Sequence, residues 1–323
     1  VDAGILLPTR EMAITGRTDA RSLLTFARTA ESLGFASLWA SDSLTARPRP
    51  EPLTVLAGVA AVTERVRLGT AALTAAIRHP LTSAHALATL DQLAAGRLTL
   101  GLGAGFPYPA SAAEFAAVGV PFEERIGRLV ETVQAWRATW SAAGAGETRA
   151  HRGPHFAFEN IEQLPPPAQP GGPPLWLAGA DAPTVLRRVA RHFDGWLPYL
   201  PTADAYAAGW EQICREAATA GRHPSAITPA LYVTVNVNGD RAAAAAELEE
   251  FVRQYYGFPL EMMRALQAFF AGDVGDCIEW LAGYGRAGAR HVVLRLGSFA
   301  PERQLERLAT TLVPALASEG IAA

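Results

Sequence analysis

Every one of the 28 basic residues in this chain is an arginine, and that restricts the chemistry open to it. Without a lysine amine there is no Schiff base to a carbonyl substrate or to pyridoxal phosphate, and no Walker-type phosphate loop. The seven histidines never occur as His-x-His, and neither His-Glu-x-x-His nor Gly-x-Ser-x-Gly is present, so metal hydrolysis and α/β-hydrolase chemistry lose their support and no metal site is expected. Two histidines remain as general acid–base candidates: His79, which equally suits a helix start before Pro80, and His155 in a stretch rich in Gly and Pro. Arg78 and Arg125 can draw an anion or make ion pairs. Gly101-Leu102-Gly103-Ala104-Gly105 runs into Phe106, so it is not the dinucleotide fingerprint Gly-x-Gly-x-x-Gly. Gly179-Ala180-Asp181, then Pro183 and a helical run over 184–192, offers a helix start whose N–H groups can hold a phosphate, or a plain start capped by Asp181.

These residues need a scaffold. The chain has 323 residues, 50% hydrophobic and 18% charged, which suits a large buried core in two ordinary domains or in one α/β barrel. A net charge of -3 with no basic stretch argues against nucleic acid as a partner. No apolar run approaches the roughly 20 residues of a membrane span. Cys214 and Cys277 stand far apart, which excludes a disulfide framework; with no basic leader ahead of the first strand, a cytoplasmic protein is expected. Short β-branched or Leu-rich runs alternate with amphipathic ones, giving eight strands near residues 4–7, 37–40, 67–71, 98–102, 175–178, 195–197, 231–237 and 291–296. The expected fold is an α/β (β/α)8 TIM barrel, one domain over 1–323. Three helices end in glycine just before a strand, at Gly34, Gly96 and Gly288, marking αβ turns, while the opposite strand ends open into small or polar loops that form the functional rim. Insertions are expected at 103–123 after strand 4, at 141–174 before strand 5, and between strands 7 and 8. In the last, residues 241–256 and 260–271 read as helices separated by Gly257-Phe258-Pro259.

The order of several segments is specific: Ala30-Glu31-Ser32-Leu33-Gly34-Phe35-Ala36-Ser37-Leu38-Trp39-Ala40-Ser41-Asp42, Arg65-Val66-Arg67-Leu68-Gly69-Thr70, Arg78-His79-Pro80, Leu90-Asp91-Gln92-Leu93-Ala94-Ala95-Gly96-Arg97, Phe122-Glu123-Glu124-Arg125, Pro173-Pro174-Leu175-Trp176-Leu177-Ala178-Gly179 and Asp194-Gly195-Trp196. In this order they resemble the bacterial luciferase-like flavin oxidoreductases, well over residues 1 to about 200 and more loosely in the last βα unit. The resemblance implies reduced FMN or deazaflavin F420 in the barrel mouth, often in a homodimer. It implies a bulge after strand 3, commonly with a non-prolyl cis peptide, that supports the isoalloxazine ring; Ala71, Ala72 and Leu73 match it, though they also read as an ordinary strand end. Gly103, Ala104 and Gly105 then let backbone approach the ribityl chain or phosphate, or merely connect to the insertion, and Gly179, Ala180 and Asp181 fall at a phosphate position. Asp42 matches a rim acid, able to hydrogen-bond the ring, move a proton or cap a turn. Many relatives follow it with a histidine that serves hydride transfer from deazaflavin, but here Ser43 follows, which weakens that reading. Trp39, Phe106, Tyr108, Trp196 and Tyr199 supply a candidate aromatic substrate lining. The reading is a monooxygenase taking reduced FMN from a separate flavin reductase and O2 to an apolar or aromatic small molecule. The alternatives are an F420-dependent hydride-transfer oxidoreductase and a flavin-binding protein without catalysis.

Overall fold

The computed structural model describes residues 1–141, 148–162 and 164–318, so residues 142–147 and 163 of the insertion at 141–174 lie outside the described residues. Along the chain run β1 (Asp2–Leu6), α1 (Thr9–Ile14), α2 (Arg21–Ser32), β2 (Ser37–Ala40), α3 (Pro52–Ala60), β3 (Arg67–Leu73), α4 (Pro80–Leu93), β4 (Leu98–Leu102), α5 (Pro109–Ala117) and α6 (Arg125–Trp140). A hairpin of β5 (Arg149–Arg152) and β6 (Ala157–Ile161) follows, then β7 (Leu175–Ala178), α7 (Pro183–His192), β8 (Gly195–Leu197), α8 (Ala203–Thr219) and β9 (Thr228–Val237). The chain continues through α9 (Arg241–Tyr256), α10 (Leu260–Arg264), β10 (Phe269–Gly272), α11 (Val274–Arg286), β11 (His291–Leu296), α12 (Pro301–Ala309) and α13 (Leu312–Ser318).

The strands are ordered β10-β9-β11-β1-β2-β3-β4-β7-β8, and β8 pairs again with β9. Eight strands thereby close into a (β/α)8 barrel, and β10 adds a ninth strand to β9. Pairings such as β1 with β11 and β3 with β4 are parallel. Parallel strands covered on both faces cannot alternate between wet and dry sides; accordingly β2 and β11 are buried at every position.

Sequence signals at the helix ends explain the spacing of the elements. Side chains of Glu51, Thr202, Asp240 and Asp273 accept from first-turn N–H groups of α3, α8, α9 and α11. The αβ-turn glycines Gly34, Gly96 and Gly288 all adopt the left-handed φ, at +89°, +77° and +109°, that such closure requires.

Contacts divide the chain into two compact units. The first joins Val1–Trp39 to Trp176–Ala323. Its core includes Trp39 and Trp176, with ring centroids 5.2 Å apart, and a cluster of Leu248, Phe251, Val252, Tyr255, Leu260, Met263 and Phe269. The second unit is Ala40–Leu175, in which Phe115 packs with Ala76 and Val120, and its ring meets Phe122 edge-on.

One expected helix is corrected. Residues 260–271 do not form a single helix: α10 stops at Arg264, and Phe269–Gly272 becomes β10, paired in parallel with Thr234–Val237. Ala, Leu, Met and Gln there suit a helix, but the partner strand, more than 30 residues away in sequence, prevails over local propensity.

Candidate active site

In the second unit, β3 carries an irregularity at its carboxyl end. Its pairing with β4 shifts register between Thr70 and Leu73, and the peptide joining Ala71 to Ala72 is cis. Ala71 and Ala72 are half-buried while Leu73 is buried. The Gly103 N–H donates to the Leu73 carbonyl at 2.9 Å, and a Cβ at Gly103 would lie 3.3 Å from the Ala72 methyl. Gly103, Ala104 and Gly105 are likewise half-buried, and Gly105 has φ +87° with Phe115 underneath. The result is a shelf of methyl groups and glycine backbone, approachable from solvent.

Beside that bulge, Asp42 is committed. Its Oδ2 accepts from the Thr74 N–H at 2.9 Å and from Arg78 Nη1 at 2.6 Å, with its side chain only 4% exposed. Arg78 also reaches the Thr74 carbonyl at 3.0 Å and Glu51 at 3.2 Å. Burial opposes the Arg78 charge, but Asp42 and then Glu51 outweigh it, so its pKa lies above the ordinary value. Ser43, which follows Asp42, donates to Glu114 Oε1 at 3.1 Å and accepts from the Arg47 N–H at 2.8 Å.

The two candidate histidines are held in structural contacts. His79 caps α4, its Nδ1 accepting from the Leu81 N–H at 3.3 Å, and its ring meets Phe156 edge-on. His155 lies 3.4 Å from Glu124, and its ring occupies the space where a Cβ at Gly127 would project. Arg125 donates to the Phe122 carbonyl and lies over that residue's ring at 4.2 Å. Phe106 is 52% exposed and 6.0 Å from the half-buried Tyr108, whose ring faces Arg47.

In the first unit, two expected lining residues are core instead. Trp39 is fully buried, with its Nε1–H on Ser37 at 2.7 Å. Trp196 is fully buried too, stacked on Tyr206 and donating to the Gly179 carbonyl at 3.1 Å. An indole this large is best stabilised where both its face and its N–H are satisfied. Tyr199 stays half-buried; burial first, then Tyr256 and Asp181, raise its pKa. After Gly179 and Ala180, Asp181 is exposed and is not the cap of α7: Ala182 holds that position, with no side-chain cap bond. Pro183 has no N–H there, and the Val185 and Leu186 N–H groups donate to the Ala182 carbonyl at 2.8 and 3.1 Å.

The sequence reading missed Thr74, Glu51, Glu114 and the buried Arg295. A charged residue at a core-facing position of the last strand was the available signal for Arg295; the others depend on contacts between distant segments. No group of three or more metal-ligating side chains occurs among the described residues, and none of their helices is long and apolar enough to cross a membrane.

Comparison with known proteins places the chain in a family and agrees with the fold. The model of the luciferase-like monooxygenase family matches residues 1–291. The phthiodiolone/phenolphthiodiolone dimycocerosates ketoreductase of Mycobacterium bovis is 32% identical over 209 residues, covering 62% of this chain and 51% of the relative. The chain thus spans about half the length of that relative. The F420-dependent hydroxymycolic acid dehydrogenase of Mycobacterium tuberculosis is 32% identical over 267 residues, 78% of this chain and 69% of the relative. Among solved structures, the monooxygenase RslO1 from Streptomyces bottropensis superposes with a TM-score of 0.81 at 24% identity, over 97% of this chain and 99% of that one.

Proposed function

The chain belongs to the luciferase-like monooxygenase family of oxidoreductases, and on that premise we propose that it uses reduced FMN from a separate flavin reductase to oxygenate an apolar or aromatic small molecule. Reduced FMN, held against Ala71, Ala72 and Gly103, would supply the two electrons by which one atom of O2 enters the substrate and the other leaves as water. The protein's own residues bind, orient and exclude water.

The observation that carries this reading is the state of the rim after β2. In relatives that transfer hydride from deazaflavin, the resemblance places a proton-handling histidine after the rim acid. Here Ser43 is held by Glu114 and the Arg47 N–H, and Asp42 by Thr74 and Arg78. Asp42 then acts as a positioning residue beside the bulge, and His79 and His155 as structural residues. The small residues Ala71, Ala72, Gly103 and Ala104, all half-buried, suit a flat tricyclic ring, since bulk there would exclude it. Gly179, Ala180 and Asp181, in the turn ahead of α7, are the positions that the resemblance gives to the phosphate, through backbone N–H groups of that turn.

A second reading, hydride transfer with F420, is favoured by the name of the 32%-identical dehydrogenase. The shelf fits both rings, so the test is direct. Purified protein is titrated anaerobically with reduced FMN and, separately, with reduced F420, and oxygen is then admitted. Selective FMN binding with delayed reoxidation once oxygen is admitted supports the monooxygenase. Selective F420 binding without oxygen uptake overturns it in favour of hydride transfer, and tight flavin binding with no substrate oxidation would leave a carrier.

A further inference from the structure

Arg295 on β11 is 2% exposed, and its hydrogen bonds end on hydroxyl groups. Its Nε donates to Thr234 Oγ1 at 2.9 Å and its Nη1 to the Tyr256 hydroxyl at 2.6 Å. Four rings surround the guanidinium: Tyr255 at 4.5 Å, Tyr256 at 4.9 Å, Tyr232 at 5.5 Å and Phe251 at 5.8 Å. Tyr256 accepts from this buried cation and donates its own proton to Gln267 Oε1 at 2.8 Å. A charge-assisted bond accepted by a hydroxyl draws electron density from it and strengthens the bond it donates. Tyr256 and Gln267, the acceptor of its proton, are both half-buried.

The backbone gathers these groups at one end of the strands. The Ala268 N–H donates to the Tyr199 carbonyl at 3.1 Å, and the Thr234 N–H to the Ala268 carbonyl at 3.1 Å. Gln267 is thereby fixed beside the ends of β8 and β9. Directly after Tyr256 the chain turns at Gly257, φ +78°, and presents Phe258, Met262 and Leu266, each about half exposed. The guanidinium is enclosed by aromatic rings, and its hydrogen-bond partners are neutral hydroxyl groups. A phenol that donates to a neutral amide oxygen beside exposed apolar side chains suits a neutral oxygen acceptor better than an anion.

We propose that Tyr256 is a substrate-positioning residue whose O–H leaves Gln267 to donate to the carbonyl oxygen of a neutral, largely apolar substrate lying on Phe258, Met262 and Leu266, with Arg295 polarising that O–H. The proposal deepens the oxidoreductase reading and rests on it only for what the bound molecule then undergoes.

The probe is 6-propionyl-2-(dimethylamino)naphthalene, a neutral apolar ketone whose emission shifts when its carbonyl is hydrogen-bonded; N-phenyl-1-naphthylamine, without a carbonyl, is the control. Tyr256→Phe is expected to weaken the ketone about fivefold, one net hydrogen bond's worth, and move its emission to the blue, leaving the control's Kd unchanged. Arg295→Lys, which keeps the charge, is expected to retain the wild-type emission, whereas Arg295→Met shifts it as Tyr256→Phe does. Replacing both Met262 and Leu266 by Ser is expected to weaken both probes. Equal affinity and emission for the ketone in wild type and Tyr256→Phe, or no ketone binding to the wild type, overturns the proposal. Neither cofactor nor oxygen is present in these titrations, so their outcome is independent of the FMN and F420 titrations.

Discussion

One oxygen of Asp42 serves two partners, a backbone N–H and a guanidinium, and this sharing defines its role. Removing the charge of a nearly buried carboxylate strands its cation, and Glu51 compensates only in part because it is more exposed. Asp42→Asn is therefore expected to lower unfolding free energy by about 2 kcal/mol in urea titrations. A double-mutant cycle of Asp42→Asn with Arg78→Met is expected to return a coupling of about 2 kcal/mol; a coupling near zero would place the pair with ordinary surface ion pairs. The sequence marked Asp42 and Arg78 as separate candidates. Their pairing was not legible, because it depends on how β2 and the loop after β3 meet across 36 residues of sequence.

At the scale of elements, the β5–β6 hairpin is held by one buried carboxylate on α6. Glu131 accepts from the His155 N–H at 2.9 Å, the Phe156 N–H at 2.8 Å and His151 Nε2 at 3.1 Å. A Cβ on Gly153 would lie 2.1 Å from Glu131 Oε1, so the hairpin turn closes around that side chain. Glu131→Gln turns an amide N–H₂ toward backbone donors and is expected to cost about 2 kcal/mol locally. The check is hydrogen exchange: protection over 149–161 should fall at least tenfold with β9 and β11 unchanged, and Gly153→Ala should do the same. Uniform loss of protection would show that Glu131 supports the unit as a whole instead. Local signals were reliable where an element carries its own ends, as in α9 with Asp240 before it and Gly257 after it. They failed over 260–271, where pairing with β9 decides the structure.

The barrel itself was legible because closing eight parallel strands needs a repeated unit, and the unit is written in Leu- and Val-rich runs with glycine turns at one end. Trp39 and Trp196 were not legible as core, since an aromatic near a strand end reads alike whether it faces a ligand or another ring. Acid stability brings the same distinction to the molecule as a whole. Burial pushes Glu247 upward, but Ser298, Asn236 and Arg303 outweigh it, so its carboxyl titrates below the ordinary range. Asp273 is also lowered, first by the Asp276 N–H and then by Arg241. A carboxylate with a depressed folded pKa contributes stability above its ordinary value, 4.5 for Glu247 and 3.8 for Asp273, and loses it as pH falls through the folded value. The thermal midpoint is therefore expected to hold from pH 7 to about 5 and to fall below about pH 4.5. Glu247→Gln should lower the midpoint by about 2 °C at pH 7 and make the acid decline shallower than in the wild type, because the variant has already lost the charge that binds Arg303 and Ser298. Parallel wild-type and Glu247→Gln curves through the acid range would mean that the bond from α9 to the residues after β11 contributes nothing to folding, and that acid unfolding begins at other carboxylates.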